Sequence, residues 1–288
     1  ALLGGGCDQE SRPAAADREG RLAATASAVG LKPGRFVQPP RRPFDANPLR
    51  LPIRPLSVDK GATVYTVPRR ALEGAERGST MVLHHAKVVG EEGGLVVVKM
   101  GREPPYAVHP GYVIAPRFGG RLRRGSYVLA PYRQKLRHGV VVSLKAERVN
   151  LQYTDIGIKI GERRLLREWV ALQPAGLSPG NYAVVPRGGN LDHVLLVSSG
   201  RWGDGKIRWL ALRHGAEAAI IDQEKLKPIA MDFKPSVGDP VLVSWLGTMV
   251  PATVRAVDGP GLFKVQRPHV GPALVLGADH LLPAPNIR

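Results

Sequence analysis

The residues best suited to binding chemistry form a basic cluster near the middle of the chain. Eight Lys and Arg residues and no acidic residue lie between Arg117 and Ala146, and Phe118, Tyr127 and Tyr132 are interleaved with them. Clustered arginines bind phosphates or carboxylates through paired hydrogen bonds, and neighbouring rings offer stacking surfaces. The pattern predicts an anion-binding site made of Arg121, Arg123, Arg124, Tyr127, Tyr132, Arg133, Lys135 and Arg137.

The charge balance supports an anionic partner. The chain has a formal net charge of +17, and residues 117–174 alone hold 13 basic and 4 acidic residues. A local excess of this kind indicates a polyanionic ligand or surface. The partner classes that fit are an anionic polymer, a lipid headgroup or an acidic protein, with nucleic acid as a further class. A solvated face without a specific ligand is the simpler alternative.

Patterns for catalysis are absent from the sequence. None of the 8 histidines forms a His-x-x-x-His pair, and no Gly-x-Ser-x-Gly motif occurs. The segment 203–206 (Gly-Asp-Gly-Lys) lacks the remaining residues of a phosphate-binding loop and fits a hairpin turn. We therefore predict a protein with no catalytic residue, no metal site and no cofactor.

Cys7, the only cysteine, follows two leucines and three glycines at the start of the sequence. This stretch resembles the end of a bacterial lipoprotein signal peptide, in which the cysteine becomes acylated. Gly4 departs from the family pattern, which has a leucine there. The resemblance implies a signal remnant at residues 1–7, lipid attachment at Cys7 and a membrane-anchored location in the bacterial cell envelope, with the cytoplasm as the alternative.

A flexible tether is predicted for residues 8–58. Seven prolines lie between Lys32 and Pro55, together with several arginines. This composition favours extended, solvated conformations over a packed core.

A degenerate repeat follows the tether. Gly61, Gly125, Gly180 and Gly238 each precede a strand-like run, and they lie 64, 55 and 58 residues apart. Three units also carry a Gly-rich turn between their second and third strand-like runs, as a tight hairpin requires. Inward-facing residues are predicted on the first and second strands: Val64, Val128, Val184, Val241, Val88, Val141, Leu195 and Val254.

Units of about 55 residues with several short strands are too small for a two-sheet sandwich and fit one strongly bent barrel. The last unit, 237–245 followed by 251–257, resembles Tudor-like and related SH3-like small barrels. The predicted fold is therefore all-β, with four tandem barrels at 59–116, 117–174 (basic), 175–234 and 235–288. The resemblance also implies an aromatic pocket, for which Trp245 is the candidate, although the return strand offers no second ring.

These features predict a non-catalytic binding or scaffolding protein of a bacterial cell envelope that meets an anionic partner through its basic second barrel. The alternative is an intracellular nucleic-acid-binding protein with Tudor-like or ribosomal-type barrels.

Overall fold

The computed structural model describes residues 44–52, 54–155, 163–268 and 270–284. Within these ranges the chain forms twenty β-strands and a single short α-helix, α1 (Arg69–Glu73), which confirms the all-β prediction. No helix in the described residues is long and apolar enough to cross a membrane. Cys7 lies outside the described residues.

The strands form four small barrels of five strands each. Barrel 1 contains β1 (Thr63–Thr66), β2 (His84–Glu92), β3 (Leu95–Lys99), β4 (Tyr106–Val108) and β5 (Val113–Ile114). Barrel 2 contains β6 (Tyr127–Tyr132), β7 (Lys135–Lys145), β8 (Arg148–Tyr153), β9 (Arg163–Leu166) and β10 (Ala171–Leu172). Barrel 3 contains β11 (Tyr182–Arg187), β12 (Asn190–Arg201), β13 (Ile207–Leu212), β14 (Ala218–Asp222) and β15 (Lys227–Pro228). Barrel 4 contains β16 (Pro240–Trp245), β17 (Thr248–Gly259), β18 (Leu262–Arg267), β19 (Val270–Gly277) and β20 (Leu281–Pro283).

The four repeat glycines play the same structural role in each barrel. All four have positive φ angles: 87° at Gly61, 83° at Gly125, 90° at Gly180 and 95° at Gly238. Their N–H groups donate to carbonyls on the second strand at 2.8 to 2.9 Å, and the acceptors are Val88, Val141, Leu196 and Val254. A side chain at such a φ would be strained, so the repeated glycine follows from this backbone geometry.

Each second strand carries a β-bulge directly after that contact. The register shifts lie between Val88 and Gly90, and at the corresponding places in β7, β12 and β17. A bulge bends and twists its strand, which lets a five-stranded sheet curl into a small barrel. A 3₁₀ turn then leads into the last strand of each barrel: Pro110–Tyr112, Arg167–Trp169, Gln223–Lys225 and Ala278–His280.

Six of the eight predicted core residues point into their barrels. Val64, Val88, Val128, Val141, Val241 and Val254 are buried in the barrel cores. For Val184 and Leu195 the prediction is wrong by one residue. Both side chains point out of barrel 3 into an apolar cluster at its junction with barrel 4. Ala183 and Leu196 fill the core of barrel 3 instead. Ala183 lies three residues after Gly180, the spacing that Val64, Val128 and Val241 have from their own glycines.

The barrels associate in pairs. In the first pair, barrels 1 and 2, His84 of β2 lies opposite Lys135 of β7. In the second pair, barrels 3 and 4, Asp192 of β12 lies opposite Thr248 of β17. Each contact merges the strands of two barrels into one ten-stranded sheet.

Residues 44–58, which the sequence analysis places in the flexible tether, pack on barrel 1 as far as they are described. Leu51 is buried, and Phe44 and Leu49 pack against the same core cluster. The Asn47 side chain closes a turn through two hydrogen bonds of 2.9 Å to the backbone of Leu51. Apolar side chains among the prolines therefore hold this segment on the barrel.

Candidate functional site

The predicted basic residues of barrel 2 occupy three different places. Arg121, Arg123 and Arg124 are exposed on the loop before β6. Arg133 is exposed in the two-residue turn between β6 and β7, where it has a φ of 48°. The exposed members of the predicted cluster thus lie on two different connections of the barrel.

Lys135 and Arg137 make contacts within the protein. Lys135 is half-buried at the joint with barrel 1. Arg137 lies 3.8 Å from the Asp155 carboxylate, and both line a central cavity. These two cations are therefore less available to a ligand than the four exposed arginines.

The two predicted tyrosines differ in role. The Tyr127 hydroxyl donates to the Gly261 carbonyl and accepts from the Ala278 N–H, both at 3.0 Å, and so joins barrel 2 to barrel 4. The ring of Tyr132 packs edge-on against Tyr153 with its centroid 5.5 Å away. Arg133 and Arg163 lie 5.5 and 5.8 Å from the Tyr132 ring, where their cations favour its π-face.

Trp245, the candidate for an aromatic pocket, already has a cation on one face. The guanidinium carbon of Arg267 lies 3.4 Å from the Trp245 ring centroid, and Arg267 itself is buried. The chain's own arginine thus occupies the position that a bound cation would take.

A groove of about 630 Å³ runs between barrels 1 and 2, and we call it the first groove. Lys87 and Lys99 face each other on neighbouring strands of its barrel 1 side. Arg133 and the half-exposed Trp169 line its barrel 2 side, and Leu165 contributes an apolar surface. The side chains lining the groove are His85, Lys87, Lys99, Pro131, Arg133, Gln134, Leu165 and Trp169.

The electrostatics of the first groove favour an anion. None of its lining residues is acidic, and Lys87, Lys99 and Arg133 are all exposed. Burial, and then the nearby charge of Lys87, lower the pKa of His85, so this ring stays neutral near pH 7. Two lysines and one arginine therefore line a cleft that also offers an indole ring.

A second cluster lies at the meeting point of barrels 2, 3 and 4. The Tyr182 ring is buried between His138 and His193, with centroid distances of 4.1 and 4.2 Å, and His280 lies 5.0 Å away. His138 Nε2 donates to the Gly180 carbonyl at 2.8 Å, which links barrel 2 to the start of barrel 3. These rings line a central cavity of about 660 Å³ to which all four barrels contribute.

The pKa values of two central histidines, His193 and His280, shift in opposite directions. Burial, followed by the charge of His280, lowers the pKa of His193 to about 3. Burial alone would lower the pKa of His280, but the Asp279 carboxylate, 3.0 Å away, outweighs this and raises it. Near neutral pH His193 is therefore neutral, while the Asp279 carboxylate favours the charged form of His280.

No group of three or more His, Cys, Asp or Glu side chains in the described part of the chain is arranged to hold a metal ion. The central histidines lie against one another and Tyr182, and His138 and His193 each donate to a backbone carbonyl through Nε2.

Sequence reasoning missed Lys87, Lys99 and Trp169 in the first groove, and the rings around Tyr182. The groove residues come from two barrels, so no local run of sequence contains them. One signal was present: Tyr127 and Tyr182 both stand two residues after a repeat glycine, and both join barrels.

Comparison with known proteins adds little to this geometry. No protein-family model and no curated protein matches the chain. The crystal structure of Arabidopsis thaliana AGDP1 AGD34 is similar over 39% of this chain and 80% of that chain, with 20% identity and a TM-score of 0.26. The four MBT repeats of Drosophila melanogaster Sfmbt, solved with a peptide that carries a methylated lysine, cover 78% of this chain and 88% of that chain, with 9% identity and a TM-score of 0.17. At these TM-scores neither likeness carries an argument about ligand or function.

Proposed function

We propose that this chain is a non-catalytic binding protein that takes an anionic partner on its first pair of barrels. The observation that carries the proposal is the first groove, which Lys87, Lys99 and Arg133 line without any lining carboxylate. Cations brought together in this way repel one another, and an anionic ligand relieves that repulsion. The exposed Arg121, Arg123 and Arg124 add to the positive field of the same barrel.

Removing six exposed cations tests this proposal. The variant carries Lys87→Ser, Lys99→Ser, Arg133→Asn, Arg121→Ser, Arg123→Ser and Arg124→Ser. It keeps Lys135 and Arg137 because both are half-buried, and Arg137 faces Asp155. Asn is used at position 133 because it tolerates the positive φ there. We expect affinity for polyglutamate, a dT20 oligonucleotide and phosphatidylglycerol vesicles to fall at least about tenfold at low salt.

The free energy of unfolding provides the control for this variant, because it shows whether the fold is retained. Exposed charges contribute little to folding, so urea unfolding should shift by less than about 1 kcal/mol per site. A six-site variant that binds all three probes as tightly as wild type would show that the cations only solvate the surface, and the proposed function would fail.

We also propose that the protein works in a bacterial cell envelope, attached through a lipid on Cys7. The full-length precursor, expressed in a bacterium, should partition into the detergent phase, and Cys7→Ser should move it to the aqueous phase. A single acyl chain binds membranes only marginally, so basic residues near the anchor should strengthen attachment. Recovery of the wild-type precursor wholly in the aqueous phase would contradict this location.

Trp169 supports a second candidate function, the binding of single-stranded nucleic acid inside the cell. An exposed indole beside three cations is the combination that stacks a base while neutralising its phosphates. Nucleic acid would show a logarithmic salt dependence of roughly 0.7 per phosphate contact for a single strand. An acidic protein would instead saturate at fixed stoichiometry and compete poorly with the oligonucleotide.

A further inference from the structure

The two pairs of barrels are joined in the same way. In the first pair the His85 N–H donates to the Gln134 carbonyl at 2.7 Å, and in the second pair the His193 N–H donates to the Gly247 carbonyl at 2.7 Å. His84 and Asp192, one residue earlier, make the single bridges between strands. The joints therefore set a residue-by-residue correspondence between the two pairs.

This correspondence shows that the second pair of barrels contains a structural counterpart of the first groove. Lys87 and Lys99, opposite each other on β2 and β3, correspond to Leu195 and Leu212, opposite each other on β12 and β13. The turn residue Arg133 corresponds to Leu246, and both have a φ near 50°. Trp169 and His280 each end the 3₁₀ turn before the last strand. The copies in the second pair all line the central cavity, which we call the second groove.

The two wall leucines of the second groove are covered by protein, while a cavity of about 660 Å³ remains beside them and the turn residue Leu246 is 65% exposed. Leu212 is 6% exposed and belongs to the core cluster of barrel 1, and Leu195 packs against that cluster. Barrel 2 places His138 on the Tyr182 ring and aligns Leu136 along the cavity wall. The first pair of barrels thus packs against the leucine wall of the second groove.

We infer that the first groove is a docking site for an acidic segment of a partner protein. This inference rests on the proposed function and names its partner. In the second groove the two wall leucines pack against protein, and these leucines and the turn leucine are replaced in the first groove by Lys87, Lys99 and Arg133. Charge complementarity then selects carboxylates, while Trp169 and Leu165 offer a surface for one aromatic or aliphatic side chain.

Two matched triple variants test the location of the site. The groove variant carries Lys87→Ser, Lys99→Ser and Arg133→Asn, and the control variant carries Arg121→Ser, Arg123→Ser and Arg124→Ser. Both remove three exposed cations, so they change the net charge equally. With a fluorescent Glu–Tyr copolymer as the probe, we expect the groove variant to lose at least about tenfold in affinity and the control less than about threefold. Equal losses in the two variants, or the larger loss in the control, would overturn the groove as the site.

Trp169 tests the chemistry of the partner. Wild type should bind the Glu–Tyr copolymer several-fold more tightly than polyglutamate, and Trp169→Ala should abolish that preference while it leaves polyglutamate binding unchanged. If dT20 displaces the copolymer and loses the most affinity in Trp169→Ala, the groove binds nucleic acid and the inference fails, while the proposed function stands. If the six-site variant described above binds every probe as wild type does, the proposed function itself fails.

Discussion

Replacing Tyr182 by alanine should destabilise the protein by about 3–5 kcal/mol, the range for removing a buried aromatic ring. Tyr182 packs between His138 of barrel 2 and His193 of barrel 3 and reaches His280 of barrel 4. It also belongs to the apolar cluster with Met249 that joins barrels 3 and 4. Because rings from three barrels surround it, they cannot all move to fill the space that the substitution leaves. The free energy of unfolding in urea, measured near pH 7, provides the test.

Tyr182→Phe is the matched control because it keeps the ring and removes only the hydroxyl. We expect this variant to lose about 1 kcal/mol, the contribution of the one hydrogen bond that the Tyr182 hydroxyl makes with Asp155. A loss below about 1 kcal/mol in Tyr182→Ala would mean that the junction does not stabilise the fold. A loss as large in Tyr182→Phe as in Tyr182→Ala would mean that the hydroxyl, rather than the ring, does so.

Acidification should weaken the fold through His193. Its pKa is about 3 in the folded protein, because of burial and the nearby charge of His280, against about 6.5 for an unperturbed histidine. Between these two values the unfolded chain binds a proton that the folded chain does not, so stability falls as pH drops. The contribution of His193 to the free energy of unfolding is complete above about pH 6.5. It falls by about 2 kcal/mol between that pH and pH 5.

His193→Gln isolates this contribution. The variant should be less stable than wild type at pH 7, and the difference should shrink by about 2 kcal/mol on going to pH 5. His280 acts in the opposite direction, because its pKa is raised, so its contribution is full below about pH 6.5 and is lost as pH rises through its folded value. Unfolding curves at several pH values, with wild type and variant side by side, measure the difference. Parallel stability profiles between pH 7 and pH 5 would show that His193 titrates normally.

The repeat and the barrel fold could be predicted because their signals are local. The four glycines mark one backbone conformation, and the valines three residues later alternate into the core as strand geometry requires. The same signal failed at Val184, where two adjacent apolar residues, Ala183 and Val184, allow either register. The junction between barrels 3 and 4 buries Val184 from the outside, so both faces of this strand are apolar.

The pairing of the barrels could not be predicted in the same way. It rests on single bridges such as His84 with Lys135, between residues about fifty positions apart that carry no distinctive sequence. The composition of the basic cluster indicated an anionic ligand, but the fold divides the cluster among an exposed loop, a turn and a cavity wall. Lys87 and Lys99 could not be predicted as site residues, because the charge of barrel 1 is almost balanced. They form a basic site only together with Arg133 of barrel 2.

The way in which barrel 3 packs on barrel 1 has a consequence for biosynthesis. Val197, Leu210 and Leu212 of barrel 3 are buried in the core cluster of barrel 1, which precedes them in the chain. A ribosome therefore finishes the surface that covers these residues before it makes the residues themselves, and amino-terminal domains generally fold first during synthesis. A circular permutant that placed barrels 3 and 4 ahead of barrels 1 and 2 would expose the same side chains on a nascent chain with nothing to cover them. Natural chain order thus limits the time in which this apolar face is open to aggregation.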